Sequence, residues 1–448
     1  MKQPSRRTVL LSLSAASLLP ACGRSSDTGT ASETTPVRDP EPDPWAPDGT
    51  EDDSVFPWGV QVGDATDSGA LLSVETTAKS LTLVVMQGSD GEWREVDRED
   101  GLTPQDGHLQ IELTDLSPDT AWSVVFYEPG GARSAPARFR TALADGDARV
   151  VVFGATSCLG GNTPWPSLSQ AAAERYDFFC FLGDTVYADG STTAADYQWH
   201  WDAAMSTGGM RDLCQSTGLI VTWDDHEVDN NWSWQDAGIE ERFQNALDWF
   251  GRALPHRTGQ GLAGIWRKLS WGDTLDVFVL ECRAERSAAD GVYLSRAQLD
   301  WLKAELSAST ARFKIILNSV PITDFYDAIG MLAEDDRWSG FPEQRAEILT
   351  HAADIQGVLW VSGDLHWGAL SQVDPDGGVA ADQHEVLAGP GGSFLNIAAD
   401  LVVNREQYPI LFAEWNHTRF SCDPGTGVVS VSFIGDDGSV LYEQDLSL

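Results

Sequence analysis

Four apolar runs in the sequence each stop directly before side chains that can bind a metal ion or move a proton. Thiolate, phenolate, imidazole and carboxylate groups are the ligands that proteins use for transition metals and hard divalent cations. An imidazole next to a carboxylate can also serve as a general acid or base. In chain order, the groups that follow the four runs are Cys158, Asp184 with Tyr187, Asp225 with His226, and Asp364 with His366.

The spacing within two of these groups indicates that neighbouring side chains face the same way. Asp184 and Tyr187 are three residues apart just past a strand end, and Asp364 and His366 are two apart on one side of an extended chain. In an open α/β sheet, the carboxyl ends of the strands line one crevice. Two groups on one side of such a crevice can hold two adjacent ions, so the sequence predicts a site of this kind.

The elements that must position these groups are strands buried on both faces and interleaved with helices. Runs such as YDFFCFLGD, FKIILNS and GVLWVSGDLHW alternate with helical patterns such as SRAQLDWLKAELSAS. In that helix, Ser295 and Gln298 have the spacing of a capping box, and three leucines lie on one face. The pattern predicts an α/β domain with a largely parallel core over residues 147–448, closed by a hairpin around Asp-Asp-Gly.

Residues 55–142 show a different pattern, in which short alternating runs are separated by turn residues. The runs ALLSVET, SLTLVVMQ, HLQIEL, AWSVVFYE and ARFRT are separated by segments such as GSDG and EPGG. This spacing predicts a small antiparallel β-sandwich of immunoglobulin or fibronectin type III character in front of the α/β domain.

The first 54 residues indicate export. In residues 1–22, Arg6 and Arg7 precede an apolar run too short to span a bilayer and resemble a twin-arginine signal. LLPAC resembles a lipobox with Cys22 as the lipidated residue; the alternative is an ordinary cleaved signal with an incidental cysteine. Residues 23–54 contain almost no aliphatic side chains, which predicts a flexible tether. We therefore expect export by the twin-arginine machinery to the cell envelope, with membrane attachment only through a lipid anchor.

Composition excludes several function classes. The 448 residues include 68 Asp plus Glu against 29 Lys plus Arg, a formal charge of −39 that repels nucleic acid and anionic lipid, so no nucleic-acid-binding surface is expected. The five cysteines after Cys22 lack CxxC spacing, which excludes a dense disulfide framework but leaves one or two bridges open.

Five ordered segments resemble the alkaline phosphatase D (PhoD-type) family of calcineurin-like, purple-acid-phosphatase-like metallophosphoesterases. They are TSC, FLGDTVYADG, TWDDHEVDNNW, LNSVPI and SGDLHWG. FPWGVQVGDATDSGALLSVET is similar to the β-sandwich that those proteins carry in front of the catalytic domain. The resemblance implies a metallophosphoesterase-type αββα sandwich preceded by a fibronectin/immunoglobulin-like β-sandwich. It also implies hydrolysis of phosphomonoesters, phosphodiesters or both by metal-bound hydroxide.

The resemblance further implies roles for individual residues. The implied first metal is held by Cys158, Asp184, Tyr187 and His366. The implied second metal is held by Asp184 as a bridge, with Asp225, Asn318 and Asp364. His226 matches the residue that protonates the leaving group or steadies the phosphoryl group. Arg283 and Arg286 match a stretch with a role in phosphate binding. Apart from the resemblance, Asn230 is a residue that either reaches the phosphate or makes a turn.

The chemistry of these two donor sets indicates which ions they suit. Thiolate, phenolate and imidazole favour a ferric ion at the first site, whereas carboxylates and an amide favour calcium or another divalent ion at the second. If Cys158, Asp184, Tyr187, Asp225 and Asp364 are all anionic, the set carries −5. Fe³⁺ with Ca²⁺ neutralises this charge, whereas two divalent ions leave a net charge of −1.

Two function hypotheses follow. The first is an exported phosphate-ester hydrolase. The alternative is a non-catalytic surface lipoprotein whose metals only stabilise the fold and whose β-sandwich is the binding part. His226 discriminates between them, because a purely structural metal site has no need of an unliganded imidazole beside it.

Overall fold

The computed structural model describes residues 43–89, 91–161, 163–325, 336–397, 399 and 406–448. The predicted export signal with Cys22, and residues 23–42 of the predicted tether, lie outside these described residues and stay predictions. No helix in the described ranges is long and apolar enough to cross a membrane.

The N-terminal region contributes strands to two sheets. The strands are β1 Thr50–Glu51, β2 Val60–Gly63, β3 Ala70–Glu75, β4 Leu81–Ser89, β5 Glu92–Leu102, β6 His108–Leu113, β7 Ala121–Tyr127, β8 Ala132–Arg133 and β9 Ala137–Arg140. Strands β1, β4, β5, β7, β8 and β9 form a six-stranded sheet, and β2, β3 and β6 end a nine-stranded one. Both groups share one apolar core that includes Val62, Leu72 and Leu83.

The longest strand of this region was not among the runs that the sequence analysis singled out. Strand β5 lies at the edge of its sheet, and none of its eleven residues is buried. Its sequence EWREVDREDGL is charged at most positions, so the alternation that marked the other strands is weak. Charged side chains are a usual feature of edge strands, because they oppose pairing with another chain.

The C-terminal region builds most of the nine-stranded sheet and a second sheet of seven strands. Its strands are β10 Val151–Thr156, β11 Phe178–Leu182, β12 Leu219–Thr222, β13 Arg267–Trp271, β14 Leu275–Val279, β15 Phe313–Asn318, β16 Val358–Ser362, β17 Gly368–Gln372, β18 His384–Leu387, β19 Ile410–Phe412, β20 Asn416–Asp423, β21 Val428–Gly435 and β22 Val440–Ser447. Its described α-helices are α1 Pro166–Ala173, α2 Ala194–Met205, α3 Gly208–Ser216, α4 Ile239–Ala253, α5 Arg296–Ala308 and α6 Pro342–Ala352.

The strand pairing confirms the mixed α/β class and its parallel core. Strands β10, β11 and β12 are parallel neighbours in the first sheet, and β14, β15, β16 and β18 are parallel neighbours in the second. The predicted closing hairpin forms as β21 and β22, which are antiparallel. The finer predictions of an αββα sandwich and a fibronectin-like sandwich stay predictions.

Alternate residues of the second sheet face two different cores. In β14, Val277 and Val279 lie in the core that this sheet shares with the first sheet. Phe278, between them, lies with side chains of helices α5 and α6 such as Leu299 and Ile348. A strand covered on both faces has to be continuously apolar, which explains the uninterrupted runs in the sequence.

The predicted capping box at the start of α5 forms only in part. The Ser295 hydroxyl accepts a hydrogen bond from the Gln298 N–H at 3.2 Å, so Ser295 is the N-cap. The Gln298 side chain bonds the backbone of Glu281 instead, accepting from its N–H at 2.9 Å and donating to its carbonyl at 3.0 Å. Gln298 thereby ties α5 to the segment that follows β14.

A buried ion pair joins the N-terminal region to the second sheet. Asp64, directly after β2, accepts hydrogen bonds from Nε and Nη2 of Arg267 in β13, both at 2.7 Å. The Asp64 side chain is fully buried and that of Arg267 is 7% exposed. Gly63 also pairs with Leu219 of β12. The two regions are thus joined through their interiors, and the predicted boundaries at 142 and 147 stay a prediction.

We expect Asp64→Asn to lower the free energy of unfolding by about 3–5 kcal/mol, because it leaves the buried charge of Arg267 uncompensated. Urea denaturation checks this. Glu112→Gln is the matched control: Glu112 pairs with Arg257 at a site where its side chain is 49% exposed, so the expected loss is below about 1 kcal/mol. Equal losses in the two variants would contradict the importance of the buried pair.

Candidate metal centre

The predicted ligands converge where the parallel strands of both sheets end. Cys158 follows β10, Asp184 follows β11 and Asp225 follows β12, all in the first sheet. Asp364 and His366 follow β16 of the second sheet. Residues about two hundred positions apart in sequence therefore meet at one edge of the packed sheets, as the crevice argument predicts.

The first cluster contains the four side chains predicted for the first metal. The ligand atoms of Cys158, Asp184 and His366 lie within 4.8 Å of one another. The Cys158 Sγ is 3.4 Å from Oδ2 of Asp184, and the Tyr187 hydroxyl is 3.0 Å from Nε2 of His366. The same hydroxyl is 3.5 Å from Oδ2 of Asp184. The thiol, carboxyl, phenol and imidazole groups thus form one cluster.

The backbone at these ligands is held in an unusual conformation. Cys158, Asp184, Asp364 and His366 have φ values of 56°, 55°, 69° and 58°, in the left-handed region that non-glycine residues rarely adopt. Such residues cost energy and persist only where the surroundings fix them, typically at functional sites. The fold therefore holds these four residues in the cluster although their backbone conformation is locally unfavourable.

The second predicted set is only partly assembled. Asp184, Asp225 and His226 have side-chain atoms within 4.8 Å of one another. Asp364 lines a cavity together with these three residues, and its Oδ2 is 3.3 Å from Nε of Arg337. Asn318 is fully buried at the end of β15, and its Oδ1 accepts from the Cys282 thiol at 3.0 Å. The sequence analysis did not predict this contact, which competes with metal binding for the Asn318 amide oxygen.

The electrostatics of the cluster fit a bound cation. Burial, and then the charge of Asp225, raises the pKa of Asp184 well above its usual value. Burial and the neighbouring Asp184 likewise raise the pKa of Cys158, and burial raises that of Asp364 to about 7. Oδ1 of Asp184 is buried without a hydrogen bond. Burial lowers the pKa of His366 to about 4, which keeps its imidazole neutral as metal binding requires.

His226 is held by a carboxylate that the sequence analysis did not single out. Its Nδ1 is 2.8 Å and 2.9 Å from the two carboxylate oxygens of Asp189, and its ring stacks on Tyr187 at 4.1 Å. Burial lowers the pKa of His226, but the bond to Asp189 and the charges of Asp184 and Asp225 outweigh it and raise the pKa to about 10. The only sequence signal for Asp189 was its place two residues after Tyr187.

Glu227 fixes the two loops that carry the aspartate ligands. Its buried carboxylate accepts hydrogen bonds from the backbone N–H groups of Asp184 at 3.1 Å, Thr185 at 2.6 Å and Asp224 at 2.9 Å. These N–H groups belong to the segments after β11 and β12. The sequence analysis gave Glu227 no role, because backbone donors leave no pattern in side-chain identity.

The structure places Arg283 behind the predicted metal ligands. Its fully buried guanidinium donates to Asp224 at 2.6 Å and 2.9 Å, and its Nη2 is 3.5 Å from Oδ1 of Asp225. Burial raises the pKa of Asp225, but the positive charges of Arg283 and His226 outweigh it and lower the pKa. Arg283 thus supports Asp225 from inside the protein. Its geometry is that of a positioning residue, and its predicted contact with substrate stays a prediction.

Arg286 belongs to the same buried network as Arg283. The arginine that lines the cavity is Arg337. Arg286 donates to Oδ1 of Asp336 at 2.8 Å, and Arg283 bonds the same oxygen. Arg337 lines the cavity that opens onto both clusters, and Asn230 does so as well. No motif in the sequence marked Arg337, whereas Asn230 stands where the sequence analysis expected a candidate phosphate contact.

The described cysteines all remain thiols. Cys158, Cys180, Cys214, Cys282 and Cys422 are buried and unpaired. The disulfide that the sequence left open is therefore not present among the residues that the structure describes.

Comparison with known proteins agrees with this geometry. The model of the PhoD-like phosphatase family matches residues 153–394. Alkaline phosphatase D of Bacillus subtilis (strain 168) is 22% identical over 264 residues, which cover 47% of this chain and 45% of that protein, so the match spans less than half of the curated relative.

Two solved structures share the fold. The structure of PhoD superposes with a TM-score of 0.74 at 17% identity, covering 89% of this chain and 90% of that one. Purple acid phosphatase PPD1 from yellow lupin (Lupinus luteus) seeds gives 0.61 at 12% identity, covering 87% and 73%. The family match extends over more than half of the sequence and includes the predicted ligand segments up to His366. The chain therefore belongs to the PhoD-like phosphatase family.

Proposed function

We propose that this protein is a metal-dependent phosphoesterase that hydrolyses phosphomonoesters, phosphodiesters or both. The observation that carries the proposal is the cluster of Cys158, Asp184 and His366, with the Asp189-held imidazole of His226 beside it. A metal that only stabilised the fold would have no use for an oriented imidazole next to its ligands. The family supports the enzyme over the alternative of a non-catalytic surface lipoprotein.

We infer two metal positions from the donor chemistry. The first set is Cys158, Asp184, Tyr187 and His366, and the second is Asp184, Asp225, Asp364 and Asn318. Fe³⁺ at the first and Ca²⁺ or another divalent ion at the second would balance the buried anions. A bound metal pair supplies Lewis acidity and makes hydroxide available at neutral pH. Asn318 joins the second set only if its amide oxygen turns away from Cys282.

The protein's own residues divide the remaining work. His226 holds a proton for the leaving alcohol, and Asp189 orients the imidazole through Nδ1, which leaves Nε2 to face the substrate. Arg337 and Asn230 line the cavity and bind the phosphate oxygens in this proposal. Arg283 and Glu227 keep the aspartate loops in place.

The cellular setting is likewise a proposal. We infer export through the twin-arginine machinery from Arg6 and Arg7, and lipid anchoring at Cys22 in the cell envelope. We also propose that the two central sheets with their flanking helices form a metallophosphoesterase-type sandwich and that residues 55–142 form a fibronectin-like one. The burial of both faces of β14 supports the first of these.

We expect Asp184→Asn to abolish hydrolysis and remove at least one metal ion, because an amide cannot supply the bridging charge. Elemental analysis of the purified protein, with assays on p-nitrophenyl and bis-p-nitrophenyl phosphate, checks this. Asp248→Asn, a change on the exposed side of α4, is the control and should keep both metal and turnover. Unchanged metal content and activity in the Asp184 variant would contradict the bridged pair.

We expect concentrated wild-type protein to be coloured, because phenolate bound to ferric iron absorbs in the visible. Tyr187→Phe should bleach or shift the band, whereas Tyr442→Phe, on the exposed last strand, should not. A chelator that removes calcium should stop activity while the band survives. A colourless, fully active enzyme would refute the ferric site and leave the phosphoesterase proposal standing.

We expect His226→Ala to keep the metals and slow hydrolysis by about 10²–10⁴, with larger losses for alkyl than for nitrophenyl esters. His226 donates only in its protonated form, so kcat should fall as pH rises through the pKa that His226 has in the metal-loaded enzyme. Asp189→Asn removes a charge that raises this pKa and should move the alkaline limb of the kcat profile to lower pH. Equal losses on both ester types, or an unmoved limb, would assign His226 a different role.

A further inference from the structure

Phe394 is an exposed aromatic residue on a firmly anchored loop. Its side chain is 71% exposed. The backbone before it is held by hydrogen bonds from the N–H groups of Gly392 and Ser393 to the Cys158 carbonyl, at 3.2 Å and 2.9 Å. The backbone after it is held by the Asn396 N–H, which donates to the His366 carbonyl at 3.2 Å. The backbone on both sides of Phe394 is therefore held by two predicted metal ligands, Cys158 and His366.

The ring lies at the edge of the cavity over the candidate metal centre. Its centroid is 4.2 Å from that of His366, with the ring planes at 68°. Phe394 lines the same cavity as Asp184 and His226. Ile397, three residues further along, is 77% exposed and extends the apolar character of this loop.

Isolated exposed apolar residues are common on protein surfaces and need no explanation. Phe394 differs because it is fixed beside a cavity that is otherwise lined mostly by charged and polar side chains, among them Asp225, Asp364 and Arg337. The charged part of this cavity suits metal ions and a phosphate. An alcohol group attached to that phosphate has to extend towards the cavity mouth, where water and Phe394 are.

We propose that Phe394 forms a subsite for an apolar alcohol portion of the phosphate ester, either an aryl group or an alkyl chain. This inference rests on the proposed phosphoesterase function and names its substrate class. The chain's charge of −39 disfavours esters whose alcohol carries further anionic groups. An apolar alcohol avoids that repulsion and gains contact with the Phe394 ring, whose backbone is already held in place.

The test compares two ester substrates and two non-hydrolysable analogues in wild type and Phe394→Ala. We expect kcat/KM for 1-naphthyl phosphate to fall about 5- to 20-fold in the variant, and that for glycerol phosphate to change less than about 2-fold. Binding of phenylphosphonate, measured by calorimetry on the metal-loaded protein, should weaken similarly, whereas binding of methylphosphonate should not.

Two further variants separate the subsite from general effects. Tyr442→Ala removes another exposed aromatic side chain, 43% exposed on the last strand, and should leave all four measurements unchanged. Arg337→Ala should reduce both esters equally, because phosphate is common to them. Equal losses on both esters in Phe394→Ala, with equal losses on both phosphonates, would overturn the subsite. Hydrolysis of neither ester by wild type would instead refute the proposed function, and the phosphonate pair would still test the subsite.

Discussion

The mutual repulsion of buried acidic side chains is the constraint on which this site depends. Cys158, Asp184, Asp225 and Asp364 lie at adjoining strand ends with little or no contact with water. Desolvation alone makes their charged forms costly, and each one raises that cost for its neighbours. Bound cations remove both penalties at once and lower the pKa values that burial had raised. The left-handed backbone at three of these residues shows that the fold brings them together despite local strain.

Residues outside the two predicted ligand sets maintain this arrangement from the protein interior. Glu227 joins the loops after β11 and β12 through backbone N–H groups, and Arg283 places a fixed positive charge 3.5 Å from Asp225. Both are enclosed in protein, so their interactions are little screened by solvent. Asp189 does the same for His226 at the more open side of the site. The charged interior is thus stabilised by partners on several sides, while the cavity side stays free for ligands.

In the proposed function, a strongly acidic protein has to recognise its anionic substrate through short-range contacts. The overall charge of −39 opposes the approach of a phosphate ester. Arg337 is a cation at the cavity, and Phe394 offers a contact that charge does not affect. Neither was predicted, because a single arginine in EDDRWSG and a phenylalanine after three small residues resemble ordinary loop residues. Their importance arises from the neighbours that the fold supplies.

The sequence by itself determined the strand ends and the chemistry that follows them, because an apolar run and the polar residue after it are local features of the chain. It thereby predicted the parallel core, whereas the resemblance of five ordered segments to the PhoD-type family predicted the family and the side chains of the first cluster. The tertiary structure alone decided which groups meet across distant segments: Asp189 with His226, Arg283 with Asp225, and the Asn318 oxygen with Cys282. Those contacts depend on how two sheets pack and on where loops approach one another, and hydrogen bonds to backbone atoms leave no mark on residue spacing.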